Sequence, residues 1–147
     1  MQDRQIILTR LIAAPVAKVW QCWTDPAMLP RWFGPEGYFC VTKEIDLRQG
    51  GLWRFDMTGP DGKIWANRHR YTLFDPFKRL EFLLDGDDDS VPPMEVVVVL
   101  EAEADGTRIT QTMTFPSVEM CQGALAFGAD LLGQTTLAKL EAAARKL

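Results

Sequence analysis

Large apolar and polar side chains alternate along several stretches of this chain. Trp53, Phe55 and Met57 share one parity, and Arg54 and Asp56 take the other. A period of two marks a strand with one buried face. Leu80, Phe82 and Leu84 repeat the pattern, as do Met94, Val96, Val98 and Leu100. Ile109, Gln111, Met113 and Phe115 form another set, opposite Arg108, Thr110, Thr112 and Thr114. Between residues 64 and 74 the inward set reads Trp65, Asn67, His69, Tyr71 and Leu73, because Arg68 and Arg70 suit solvent. The spacing predicts strands at 5–12, 38–47, 51–58, 64–74, 79–84, 94–103 and 107–115. Gly50-Gly51, Pro60-Asp61-Gly62, Asp75-Pro76 and Asp105-Gly106 supply the turns between them.

A different period governs residues 15–23. Val16, Val19, Trp20 and Trp23 fall at i, i+3, i+4 and i+7, one face of a helix. A short helical turn follows at 26–32, with Asp25 as cap and Pro26 in its first position, ending at the Gly34-Pro35 break. Ser117 can cap a long final helix over 118–146. The order is therefore strand, two helices, six strands and one long helix. Six hairpin-linked strands make an antiparallel meander, which needs one face covered. The final helix is the only element large enough to do so. The expected fold class is α+β, a curved sheet of about seven strands around the C-terminal helix, with a cavity between them.

Composition narrows the class. A chain of 147 residues that is 47% hydrophobic and 24% charged makes one domain, spanning 1–147, with a packed core. A net charge of −4, with the basic residues scattered, argues against a nucleic-acid partner or an anionic membrane surface. Cys22, Cys40 and Cys121 are odd in number and lack C-x-x-C spacing, as in a reducing cytoplasm. Asp3 and Arg4 stand where a signal peptide needs apolar residues. No apolar run is long enough for a membrane span. A cytoplasmic protein, monomer or homodimer, without membrane insertion, is expected.

The same landmarks carry a family resemblance. Ala14-Pro15, Val19-Trp20, Trp23-Thr24-Asp25-Pro26 and Arg31-Trp32-Phe33-Gly34-Pro35 are followed in order by Asp46 to Phe55 and by Asp75-Pro76 to Arg79-Leu80. This series resembles the START-like superfamily, and within it the branch named after the C-terminal domain of the heat-shock-protein-90 ATPase activator. The resemblance implies a helix-grip domain whose relatives bind lipids, polyketides or hormones. It also implies two departures. His69 stands where the family often has glycine, and Leu132-Gly133 stand where it has a Gly-Trp pair. Loss of that indole frees well over 100 Å³, roughly the scale of a small ligand, unless neighbours refill the space.

Few residues suggest chemistry. His69, the sole histidine, is either a general base or ligand donor, or a hydrogen-bonded interior residue. Asp130 shares a helical stripe with Gly133 and Leu137, so it either faces the sheet or flanks the cavity mouth. Trp32 and Phe33 either gate a ligand or plug one end of the core. The run Asp85-Gly86-Asp87-Asp88-Asp89 lacks calcium-loop spacing and reads as a solvated hairpin loop. Neither metal nor cofactor is expected, because one histidine and dispersed cysteines do not make a metal set.

The leading function is binding of a small hydrophobic or amphipathic ligand. Its apolar wall would be Trp53, Phe55, Met57, Trp65, Phe82 and Val98, with Met113, Phe127, Gly133 and Leu137. Its polar groups would be Asn67, His69, Tyr71, Gln111 and Asp130. The alternatives are a cyclase- or hydrolase-like enzyme using His69 with Asp130, and a chaperone partner of the kind that the branch name suggests.

Overall fold

The computed structural model describes residues 2–147. Seven strands form one antiparallel sheet: β1 (Gln5–Ile12), β2 (Phe39–Asp46), β3 (Leu52–Thr58), β4 (Ile64–Asp75), β5 (Arg79–Asp85), β6 (Met94–Glu103) and β7 (Gly106–Thr114). Their order is β1-β7-β6-β5-β4-β3-β2, so β2 to β7 run as a meander and β1 closes on β7. Among the described residues, a 3-10 turn at Gln2–Arg4 and four α-helices complete the fold: α1 (Val16–Thr24), α2 (Leu29–Trp32), α3 (Val118–Phe127) and α4 (Ala129–Arg145). This is the helix-grip architecture, and α4 packs on both α1 and β1. No helix among the described residues is long and apolar enough to cross a membrane.

The alternating residues face as their parity requires. Trp53, Phe55, Leu80, Phe82, Val96, Val98 and Ile109 are buried on the concave face, together with Leu137 and Leu140 of α4. The short turn at 26–32 divides into a turn and α2. Asp25 does not cap α2, and Pro26 is not its first residue. Asp25 ends α1, and its Oδ1 accepts from the Ala27 N–H at 2.8 Å. The helix α2 starts at Leu29, after Met28, with Pro30 in its first turn. Trp32 is buried and donates its indole N–H to the Cys22 carbonyl at 2.9 Å, so it plugs the core end. Arg10 and Glu141 pair at 2.8 Å, and Glu141 also accepts from the Ala13 N–H, tying β1 to α4.

Two further expectations change. The final helix is broken in two. Gly128 sits in the left-handed region at φ +93° and ends α3, its N–H reaching the Ala124 and Leu125 carbonyls. Glycine adopts that conformation without a Cβ clash, which makes it the usual helix C-terminal residue. The apolar stripe continues past it, so periodicity alone reads through the break. In β4 the register shifts between Tyr71 and Leu73. A bulge of this kind inverts the facing of the residues beyond it. Phe74, not Leu73, therefore turns inward, packing edge-on against Trp20 and Tyr71.

Candidate functional site

A cavity of about 460 Å³ lies between the concave face of the sheet and the C-terminal helices. The sheet supplies Met57, Phe82, Val96 and Met113, side chains that alternation aims inward. The loop after α2 supplies one rim, with Phe33, Gly34, Pro35 and Tyr38. Ala124 and Phe127 of α3, and Ala129, Leu132, Gly133 and Thr136 of α4, supply the other. Trp65 and Phe127 line the cavity while remaining 44% and 67% exposed, which puts its mouth between them. The Lys63 ammonium stands 3.9 Å from the Trp65 ring centre at that mouth.

Of the residues that the sequence nominates, Met57, Trp65, Asn67, Phe82, Gln111, Met113, Phe127 and Gly133 line this space. Trp53, Phe55, Tyr71, Val98 and Leu137 are buried in the core behind the wall. Trp53 and Phe55 stack at 3.6 Å between ring centres, so that part of the concave face is filled by its own aromatics. Asp130 is not part of the lining.

His69 is also behind the wall, fully buried. Its ring stacks on Phe82 at 4.2 Å and meets Phe33, Trp53 and Phe55 edge-on at 5.0, 5.2 and 5.2 Å. Nδ1 lies 3.3 Å from the Tyr71 hydroxyl, and Nε2 has no partner among the described residues. Burial holds the imidazole pKa down at about 3, against a weak opposite pull from Asp85. The same desolvation pushes the Tyr71 phenol up. His69 is therefore neutral at physiological pH. The suggested His69–Asp130 acid–base pair is not assembled, since among the described residues the only polar contact of the His69 ring is Tyr71.

Gly133 faces the cavity, and the space above it is partly taken. A Cβ built there would come within van der Waals overlap of Leu8 Cδ1. The space expected at Gly133 is thus shared between empty cavity and the Leu8 side chain.

The acidic run is not simply solvated. Asp85 is buried and accepts from Arg68 at 2.7 Å and Arg70 at 3.0 Å, while Asp87 accepts from Arg54 at 2.9 Å. Burial opposes ionisation of Asp85, but the bonds from Arg68 and from the Asp87 N–H hold its carboxyl below the usual range. Asp87 is lowered chiefly by Arg54. Outward arginines on β3 and β4 thus clasp the β5–β6 loop across the convex face. No cluster that could hold a metal ion occurs among the described residues. Burial raises the Cys22 and Cys40 thiols to about 11 and about 12, which keeps them protonated and unreactive at neutral pH.

The rim loop is the part of the lining that alternation does not reach. Lys139 of α4 donates to the carbonyls of Gly34, Pro35 and Tyr38 at 3.0, 3.4 and 3.3 Å. Thr135 Oγ1 accepts from the Glu36 N–H at 2.9 Å. Nothing in the local sequence pairs Lys139 with carbonyls a hundred residues earlier. Only the Trp32-Phe33 pair beside the Gly34-Pro35 break hints at a cavity edge there.

The family model described as Activator of Hsp90 ATPase homolog 1-like protein matches residues 13–145. A protein from Mycobacterium smegmatis of solved structure is 30% identical, with 96% of this chain and 90% of that one aligned at a TM-score of 0.84. A Nitrosomonas europaea protein is 26% identical over 99% and 97% of the two chains, at a TM-score of 0.86. An AHSA1-like protein from Aeromonas hydrophila, at 23% identity, 95% and 93% coverage and a TM-score of 0.73, shares the fold. No curated protein matches the chain.

Proposed function

The chain belongs to the Activator of Hsp90 ATPase homolog 1-like family, and from that premise we propose that it is a binding module for a small hydrophobic or amphipathic ligand. One observation carries the reading. A cavity of about 460 Å³ is walled by aliphatic, aromatic and methionine side chains with a few polar atoms among them. Ligand sites have this size and character. Methionine adds adaptability, because its unbranched chain repacks at little cost.

The enzyme reading has less support, since among the described residues no nucleophile–base pair faces the cavity and the one histidine is sealed in aromatics. The convex face of β2 and β4 exposes Phe39, Val41 and Ile64. Nothing in the structure says what would cover them, so the chaperone-partner reading stands behind the ligand-binding one.

The test is titration with the neutral dye Nile red, alongside native mass spectrometry of protein purified from its own host. Binding at one site, weakened at least about tenfold by the cavity-filling Ala124→Trp, is the expected result. Equal dye binding by both proteins would place the dye elsewhere and remove the proposal's support.

A further inference from the structure

We infer that the cavity selects an uncharged ligand bearing a hydroxyl, carbonyl or amide group, and that Gln111 reads that group. This rests on the ligand-binding reading above.

The first observation is what the wall lacks. Among the described residues no lining side chain carries a charge; the polar members of the wall are Tyr38, Asn67, Gln111 and Thr136. An ion moved from water into such a space keeps no counter-charge, and burying an unpaired charge is strongly unfavourable. Nearby charges do not relieve this. Lys139 is committed to three rim carbonyls. Lys63 sits over the outer ring at the mouth. His69 lies behind Phe82 and Phe33 and is held neutral by burial. Nor do the helix ends supply a net field. The C-terminal end of α3 and the N-terminal end of α4 meet at Gly128, where their partial charges oppose, and Asp130 occupies the first turn of α4.

The second observation is Gln111 itself. In the sheet it stands directly between Leu8 of β1 and Val98 of β6, both buried. Ile109, next on the same face, is fully buried too. This places a primary amide on the apolar floor of the cavity rather than at its mouth. Gln111 is half-buried in the lining, and no side-chain hydrogen bond among the described residues engages its amide. Thr136 bonds the Leu132 carbonyl, and the Asn67 amide N–H bonds the Trp65 carbonyl. Gln111 thus has both donor and acceptor capacity free on the floor. A site that offers an unpaired amide favours the ligand that pairs it over an analogue that leaves it bare.

The experiment is Nile red displacement at pH 7 by four compounds sharing one ring system: 2-naphthol, naphthalene, 2-naphthoate and 2-naphthylmethylammonium. Expected are 2-naphthol binding about fivefold or more tighter than naphthalene, and both ions at least about tenfold weaker than 2-naphthol. Gln111→Leu and Gln111→Met should each bring the naphthol-to-naphthalene ratio close to one, whichever way naphthalene binding itself moves. Either ion binding as tightly as 2-naphthol, with the dye bound normally, overturns the charge selectivity. A preserved naphthol preference in a folded Gln111 variant overturns the assignment of Gln111. Should neither Nile red nor any neutral compound bind, the ligand-binding reading falls, and this inference with it.

Discussion

A single imidazole enclosed by rings makes this protein a clean case of proton-linked stability. His69 is the only histidine, and its pKa is held at about 3 by burial. Unfolding returns it to an ordinary value near 6.5. Between those values the unfolded chain binds a proton that the folded chain does not. Stability from this group is therefore complete above about pH 6.5 and drains away as the pH falls toward about 3. Moving from pH 7.5 to 5.5 should lower the unfolding free energy by roughly 1.4 kcal/mol from His69 alone. That figure holds as long as the folded pKa lies well below 5.5. The lowered carboxyls of Asp85 and Asp87 act in the same direction but only below about pH 4, near their ordinary values. Urea midpoints at the two pH values should differ in the wild type and nearly coincide in His69→Phe. An equal drop in that variant would show that the imidazole does not stay neutral. The residue scale also marks where sequence reading stops. Alternation puts His69 on the concave face, and that is where it lies. Alternation does not say that Phe33, arriving from a loop, and Phe82 would shut it off from the cavity.

Strand parity was the strongest signal at the level of elements, because one buried face imposes a strict period of two. It placed β1, β3, β5, β6 and β7 almost to the residue and brought Met57, Phe82, Gln111 and Met113 to the cavity. It failed at the Tyr71–Leu73 bulge, where one extra residue inverts the facing and leaves no mark in the composition. It had no purchase on Gly128 either, since the apolar stripe runs on through the glycine that breaks the helix. Gly133 shows how two elements share the space left by a missing side chain. Leu8 of β1 leans over it, so Gly133→Ala forces Leu8 off its rotamer. The expected loss is about 1–3 kcal/mol, although alanine is the better helix former by about 1 kcal/mol. In a Leu8→Ala background the overlap is gone, and Gly133→Ala should become neutral or stabilising. A double-mutant cycle on urea midpoints reads the coupling. Additive effects would mean that β1 and α4 do not meet at this point.

Seen whole, the molecule ties its cavity rim to the helix that also forms its core. α4 buries Leu137 and Leu140 against the sheet, and from its flank Lys139 holds three carbonyls of the loop bearing Phe33, Gly34, Pro35 and Tyr38. Gly34 and Gly37 both have positive φ, at +102° and +87°, so the loop backbone is shaped by tight turns rather than by a strand ladder. Its fixation comes from α4 through Lys139 and Thr135. A rim held by side-chain bonds can open without unfolding the sheet, whereas the opposite wall, built of β5 to β7, cannot. Opening of the rim loop should therefore widen the mouth at Trp65 and Phe127 enough for a bound molecule to exchange. Lys139→Met keeps the length of the side chain and removes the three donors. It should raise both association and dissociation rates of Nile red several-fold in stopped-flow measurements. The equilibrium affinity should move far less, because both rates share one opening step. Hydrogen exchange of the loop amides should quicken in the same variant, while that of the core strands stays as it was. Rates that do not move, with loop exchange clearly faster, would show that ligands pass between Trp65 and Phe127 without the loop.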